Sequence, residues 1–194
     1  SSGFKTVYGQ LITRKMEGMI RTIEAAVALE AYTNSTRAVG TAGTTPFGSN
    51  FDTVAEARQI ILDNDMPVND GQLSLIVNSS AGTKLRNLAQ LQKVNEAGGS
   101  DLLRQGTLLD LQGFMFKESS GVQNHVKGTA ASALVNGALV AGATSIVFDT
   151  STPGASGFKA GDVITIAGDA NKYVVVGGVT LTGASGTVEI ASPG

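Results

Sequence analysis

Hydrophobic residues near the start of the chain recur at steps of three and four positions, with polar residues between them. This spacing gives an α-helix one apolar face, so it predicts a long amphipathic helix over roughly residues 7–34. Its apolar positions are Leu11, Ile12, Met16, Met19, Ile20, Ile23, Val27 and Tyr32. The helix is predicted to run into the string TNSTRAVGTAGTTPFGSN, whose Gly, Thr and Pro content favours an extended loop.

A second helix is predicted from a capping-box pattern at Thr53 and Glu56, and it stops before Pro67. The apolar string LSLIVNSS then predicts a strand, after which Ser79 or Ser80 caps a third helix. The residues that carry the third helix at helical spacing are Lys84, Leu85, Leu88 and Leu91. Helices that alternate with a strand indicate mixed α and β packing.

The string DLLRQGTLLDLQGFMFKESS, residues 101–120, mixes charges with leucines and phenylalanines. We expect a short helical turn at residues 101–104, followed by strands at 107–111 and 114–118. Gln112 and Gly113 would form the turn of the resulting hairpin. The charged residues of this string are therefore expected at the caps and edges of a folding motif.

Composition changes sharply near residue 128. The last 66 residues hold 6 charged residues, against 24 before them, and they contain 11 Gly and 21 Val, Ile or Thr. That profile is typical of short strands joined by turns, so we place a domain boundary there. The string ALVNGALV predicts a hairpin at Asn136 and Gly137. Further strands are predicted at residues 144–149, 162–167, 172–176 and 187–191, which suits a small barrel or sandwich.

Charge and residue usage exclude several classes of protein. The net charge is -2 without basic blocks, which disfavours nucleic-acid recognition by charge. No apolar run approaches the roughly 20 residues that span a bilayer, and the N-terminus shows no signal-peptide pattern. The absence of cysteine excludes disulfides and thiolate metal sites. Because the sequence does not start with Met, we interpret it as a fragment or a processed product.

Candidate chemistry is sparse. His125 is the single histidine, and a structural role fits it better than a catalytic one. Residues 78–85 resemble a phosphate-binding turn but depart from the P-loop order, and residues 63–71 match a calcium loop in residue type only. The carboxylates of Asp101, Asp110 and Glu118 show no spacing that fixes a pair across a cleft. The sequence therefore predicts no catalytic, cofactor or metal site, and no enzyme.

Several long strings do carry a resemblance. RAVGTAGTTPFG, LIVNSSAGTKLRNLAQLQKVNEAGG, LLRQGTLLDLQGFMFKES and AGDANKYVV resemble, in a consistent order, the coat proteins of P22-like tailed bacteriophages. The resemblance implies an α+β chain with the HK97-like capsid fold. Residues 1–48 would supply the spine helix and loop of the peripheral domain, residues 49–128 part of the axial domain, and residues 129–194 a barrel-like insertion domain. The arm and loop expected before the spine helix are absent, as is the return to the axial domain.

A capsid subunit of this family implies many copies in one shell, with scaffolding protein and portal as further partners. The shell would be assembled in the host bacterial cytoplasm and would enclose DNA without reading its sequence; neither a cofactor nor a membrane is implied. Closed symmetric assembly also tolerates a modest monomer core, because burial is completed between subunits. The expected assembly contacts are Arg37, Phe47, Arg104, Asp110, Lys117 and Glu118.

Two other functions compete with this reading. The β-rich part could be a surface or adhesin-like module that binds a ligand, with the helical part as its stalk. A hydrolase that uses Asp110, Glu118 or His125 is the weaker alternative, because no spacing brings these residues together.

Overall fold

The computed structural model describes residues 2–66, 73–93, 110–149, 154–181 and 184–192. Within these ranges the chain is α+β, with helices in the first part and short strands in the second. The class expected from the sequence is therefore confirmed. The predicted helical turn at residues 101–104 and most of the predicted strand at 107–111 lie outside the described residues.

The first helix, α1, spans Ser2–Thr33, close to the predicted bounds. Thr13 and Thr22 each donate their hydroxyl to the carbonyl one turn earlier, which satisfies these polar groups within the helix. Among the side chains of α1 that the structure describes, Thr33 is buried, and Ala25, Ala28 and Tyr32 are half-buried. Most of the large apolar side chains of α1 are exposed.

Three shorter helices follow in the described ranges. α2 spans Asp52–Asp63, α3 spans Ser79–Arg86 and α4 spans Ala89–Gln92. The predicted capping box is wrong, because Phe51 occupies the N-cap of α2 and makes no side-chain cap bond. The cap of α3 is also one residue earlier than predicted: Asn78 Oδ1 accepts the N–H of Ala81 over 2.9 Å.

The predicted third helix divides at Asn87 and Leu88. Leu88 has extended backbone angles and its side chain is buried, so the chain changes direction while keeping its apolar residues inside. Leu85, Leu88 and Leu91 all enter the same core. The apolar spacing predicted the burial of these residues but not the break.

A three-stranded sheet completes the first part, with β1 at Leu73–Val77, β2 at Asp110–Leu111 and β3 at Phe114–Glu118. β3 lies in the middle, parallel to β1 and antiparallel to β2. The predicted hairpin turn is confirmed, since Gln112 and Gly113 both adopt positive φ, 51° and 82°. One apolar core joins this sheet to the loop before α2 and to the helices: Phe47, Val54, Val77, Ala81, Leu85, Leu88, Leu91, Phe114 and Phe116.

Where the structure describes it, the second part of the chain contains seven short strands in two sheets. Their bounds are β4 Leu134–Val135, β5 Ser145–Asp149, β6 Gly154–Phe158, β7 Val163–Thr165, β8 Lys172–Gly177, β9 Val179–Leu181 and β10 Gly186–Ile190. The larger sheet has the order β4-β5-β10-β8-β7, and β6 pairs with β9 in the smaller one. A second apolar core lies here: Ile146, Phe148, Tyr173, Val175, Val188 and Ile190.

Four of the predicted strands, now β5, β7, β8 and β10, are confirmed. The predicted Asn-Gly hairpin is wrong, because β4 pairs with β5 and the residues directly after Gly137 form no strand. The N–H of Asn136 donates to the carbonyl of Val147 over 2.8 Å, which continues the β4–β5 pairing. β5 therefore forms backbone hydrogen bonds with β4 while its side chains Ile146 and Phe148 are buried in the second core.

Candidate assembly surface

The candidate surface consists of α1, whose large apolar side chains are mostly exposed, together with the loop after it and the hairpin of β2 and β3. The loop and the hairpin contain the described residues predicted as assembly contacts. Two of those residues are exposed on the hairpin: Asp110 on β2 and Lys117 on β3. Arg104 lies outside the described residues. The other three make specific contacts within the chain.

Glu118 forms an ion pair at the end of β3. Its Oε2 accepts from Nη2 of Arg86 over 2.5 Å, and both side chains are partly exposed. The carboxylate lies against α3 at Gly82, where a Cβ would be 2.8 Å from Glu118 Cδ. Glu118 therefore fixes β3 against α3, and the missing side chain of Gly82 makes room for it.

Phe47 is buried. Its ring makes an edge contact with Phe116, with centroids 5.9 Å apart, and only 4% of the residue is exposed. The side chain is therefore used in the core of this chain. It also lines a half-open apolar cavity of about 250 Å³ between the loop, α2 and β1. A contact of the surrounding loop with a neighbouring subunit stays a prediction.

Arg37 lies on the β-rich part. Its guanidinium is 4.8 Å from the centroid of the Tyr173 ring, and the backbones of these two residues form an isolated antiparallel bridge. The N–H of Ala38 donates to the carbonyl of Lys172 over 3.2 Å, and Lys172 Nζ donates back to the carbonyl of Gly40. The loop after α1 is thus fastened along β8.

The carboxylate of Asp169 lies beside the contact between Arg37 and Tyr173. The Tyr173 hydroxyl donates to Asp169 Oδ2 over 2.6 Å, and the Asn171 N–H donates to Oδ1 over 2.9 Å. The Tyr173 bond, followed by the Asn171 bond, lowers the pKa of Asp169. The same hydroxyl bond raises the pKa of Tyr173, with desolvation as the next cause.

His125 lies at a second contact between the two parts of the chain. Its Nε2 is 2.7 Å from Oδ1 of the buried Asp162, and its ring meets the edge of Tyr32 on α1 at 5.6 Å. Asp162 also accepts backbone N–H groups from Gly128 at 3.1 Å and from Lys159 at 2.8 Å. The geometry gives His125 a structural contact.

Sequence reasoning missed Asp162, Tyr32 and Tyr173 as the residues that join the two parts. One signal was available for Asp162, because a carboxylate in a segment with few charges needs a partner if it is buried. Nothing in the sequence showed that its donors would be backbone groups and a histidine 37 positions away. For Tyr32 and Tyr173, the apolar pattern predicted burial and not the partner.

The other motifs give no ligand site in the described residues. Both polar groups of the Asn78 side chain bond within the chain: Oδ1 caps α3, and Nδ2 donates to Asn124 Oδ1 over 2.7 Å. Residues 67–71 of the calcium-loop motif fall outside the described ranges. Across those ranges no group of three or more His, Asp or Glu could hold a metal. No helix found there is long and apolar enough to cross a bilayer.

Comparison with solved structures gives a likeness of fold. No protein-family model matches the chain, and no curated protein matches it. Among solved structures, the chain is similar to one named Mycobacterium phage Che8, with 17% identical residues and a TM-score of 0.50. The match covers 92% of this chain and 56% of that one, so the chain spans little more than half of its neighbour's length. At this identity the likeness concerns the fold alone.

Proposed function

We propose that this chain is part of a bacteriophage capsid subunit with the HK97-like fold. The observation that carries the proposal is the likeness of fold to a phage chain over 92% of the sequence. The strings that resemble P22-like coat proteins support it independently. Under this proposal the protein is structural: it acts by assembling, and its location is the virion shell, built in the host cytoplasm.

Each part of the chain would have its own place in the subunit. Residues 1–48 would form the spine helix and its loop, and residues 49–128 would belong to the axial domain. Residues 129–194 would form the inserted β-rich domain. Two separate apolar cores, one on each side of residue 128, support this division.

Assembly would use surfaces that the isolated chain leaves open. The long apolar face of α1 is exposed, as are Asp110 and Lys117 on the hairpin. Exposed apolar area on this scale marks a site of protein–protein contact. The partners would be further copies of the subunit, a scaffolding protein and a portal, around DNA that is held without sequence recognition.

Co-expression tests the proposal. The complete gene product that contains this chain would be produced with the scaffolding protein encoded beside it, and lysates would be examined by electron microscopy. Closed shells of uniform size are expected. A soluble protein that never forms particles with scaffolding present would contradict the proposal, as would a gene neighbourhood that lacks portal, scaffolding and terminase genes.

The alternative of a β-rich ligand-binding module has less support. A module on a stalk should be joined to it by few contacts, whereas here the β-rich part is bonded to the first part through both Arg37 and His125. Glycan-array binding by the 194-residue chain would favour the module. Particle formation without such binding would favour the capsid subunit.

A further inference from the structure

One asparagine in the sequence is followed by glycine, at Asn136 and Gly137. The backbone nitrogen of the residue after an asparagine can attack the carbon of the side-chain amide. A glycine nitrogen is the least hindered for this attack, because glycine has no Cβ and its backbone rotates over a wide range of φ. This pair is therefore the place in the sequence where loss of a side-chain amide is most favoured.

The fold leaves both reacting groups of the pair open. Asn136 and Gly137 are exposed. Gly137 has φ 96°, and a Cβ built on it would meet no atom within 4 Å. Among the described residues, no hydrogen bond engages the Asn136 side chain or the Gly137 N–H. The amide carbon of Asn136 and the nitrogen of Gly137 can thus approach each other without breaking a contact.

The backbone is held before the pair and not after it. The N–H of Asn136 donates to the carbonyl of Val147 over 2.8 Å, which fixes the chain up to that nitrogen. The residues directly after Gly137 form no strand. In the tight hairpin that the sequence predicted, strands on both sides would hold the turn. Because no second strand follows, Gly137 can rotate toward the Asn136 side chain.

We propose that Asn136 is a site of spontaneous deamidation. The Gly137 nitrogen attacks Cγ of Asn136, so that a bond between these atoms forms and the bond from Cγ to Nδ2 breaks. The proton of the Gly137 nitrogen leaves with the amide nitrogen as ammonia, and a succinimide ring remains. Water then adds to either carbonyl carbon of the ring and opens it, which gives aspartate or isoaspartate. Solvent water is the co-reactant, and the step needs no oxidant or reductant.

The fold should survive this change. Leu134, Val135 and the bonded N–H of Asn136 all precede the altered bond, so the pairing of β4 with β5 stays chemically intact. Isoaspartate lengthens the main chain by one atom, at a point where the residues that follow form no strand. Either product adds one negative charge to a chain whose formal net charge is -2. The modified chain should therefore separate by ion exchange while it remains folded.

Asn78 supplies a control within the same chain. Its Oδ1 accepts the N–H of Ala81, and its Nδ2 donates to Asn124 Oδ1. Ser79→Gly therefore creates a second asparagine followed by glycine, but with the side-chain amide held in place. Ser79 is exposed at the first position of α3, so the substitution removes no buried side chain.

Peptide mapping tests whether the fold selects Asn136. The 194-residue chain with Ser79→Gly is incubated at physiological temperature, and mass spectrometry follows the conversion of amide to acid at each asparagine. Circular dichroism checks that the chain stays folded. Asn136 should convert at least about tenfold faster than Asn78, and in denaturant the two rates should become similar. An unchanged Asn136, or equal rates at the two positions in the folded chain, would overturn the proposal.

Ion exchange tests the site and its tolerance in the otherwise wild-type chain. An acidic fraction should grow with time, and its thermal unfolding midpoint should match that of the unmodified chain. Asn136→Gln should slow this fraction at least about tenfold, because the longer side chain closes a less favoured ring. The matched control, Asn64→Gln, changes an exposed asparagine that is followed by Asp65 and should leave the rate unchanged. Equal growth in both variants would refute the site, and a lowered midpoint would refute the tolerance.

Discussion

Asp162 is a buried carboxylate that is hydrogen-bonded to one histidine ring and two backbone N–H groups. It accepts from His125 Nε2 and from the backbone N–H groups of Gly128 and Lys159. Because a buried charge is costly without partners, these bonds make its position depend on the whole junction. The residue type was visible in the sequence, but the partners come from the fold.

Replacing Asp162 should therefore destabilise the chain. Asp162→Asn keeps the shape of the side chain but cannot accept all these bonds, and we expect a loss of about 1–3 kcal/mol in the free energy of unfolding. The control is Asp110→Asn at an exposed position, expected to stay within about 0.5 kcal/mol of wild type. Denaturant titration followed by circular dichroism measures both. Equal stability of the two variants would contradict the role of Asp162.

Asp169 and Tyr173 form a pair that should be visible in pH titration. The Tyr173 hydroxyl bond is the main cause of the lowered pKa of Asp169, so Tyr173→Phe should raise that pKa toward its ordinary value of 3.8. It should remain somewhat below 3.8, because the Asn171 N–H still donates to the carboxylate. Carbon-detected NMR of the Asp169 carboxyl group measures the change.

The same pair predicts how stability depends on pH. A carboxyl pKa that is lowered on folding stabilises the fold above 3.8, and this contribution is lost as pH falls through the lowered value. A phenol pKa that is raised on folding contributes below 10.0, and this contribution is lost as pH rises through the raised value. The stability difference between wild type and Tyr173→Phe should be largest between these limits. Tyr32→Phe is the control, and an equal pH profile for both variants would contradict the pair.

At the scale of elements, the spacing of apolar residues predicted α1, β1, β5, β7, β8 and β10. The strands among these elements place apolar side chains in a core, and α1 has a long apolar pattern at helical spacing. β6 and β9 were missed. β6 reads GASGF, without alternating apolar residues, and it forms only by pairing with β9, more than twenty positions later. Pairings between distant segments, including the parallel ladder of β1 and β3, leave no local signal.

The β2–β3 turn gives a prediction for an element. Gly113 has φ 82°, and a Cβ there would also clash with the Arg58 guanidinium, which donates to the carbonyl of Gln112. Gly113→Ala should therefore cost about 1 kcal/mol for backbone strain, with a smaller further loss because the flexible Arg58 side chain must move away from Gln112. Gly168→Ala isolates the first effect, since Gly168 has φ 90° in open space. Denaturant titration should show the larger loss at Gly113; the reverse order would contradict the clash.

The apolar core between the helices and the three-stranded sheet gives a second prediction for an element. Leu85 on α3 is fully buried, whereas Leu62 on α2 is 50% exposed. Leu85→Ala leaves a cavity between α3 and the three-stranded sheet and should cost about 2–5 kcal/mol. Leu62→Ala removes the same atoms from an open surface, so its loss should be well below that of Leu85→Ala. Thermal unfolding compares the two, and similar midpoints would show that Leu85 is not the centre of this core.

At the scale of the whole molecule, two separate contacts fasten the β-rich part to the first part. One is formed by Arg37 and the backbone of β8, and the other by His125, Tyr32 and Asp162. The sequence predicted a boundary near residue 128 from composition, but it did not predict that the segments on either side would be bonded. Docking at two places should make the attachment cooperative, because neither contact can open fully while the other holds.

Hydrogen exchange tests this cooperativity. The N–H of Gly128 donates to Asp162 at one contact, and the N–H of Ala38 donates to Lys172 at the other. If docking is one event, Asp162→Asn should speed exchange at both amides by a similar factor, about 5- to 150-fold for the loss expected above. Arg37→Ala should likewise affect both, and Asp110→Asn neither. Faster exchange at Gly128 alone would mean that the two contacts open independently, and the β-rich part would then be tethered rather than fixed.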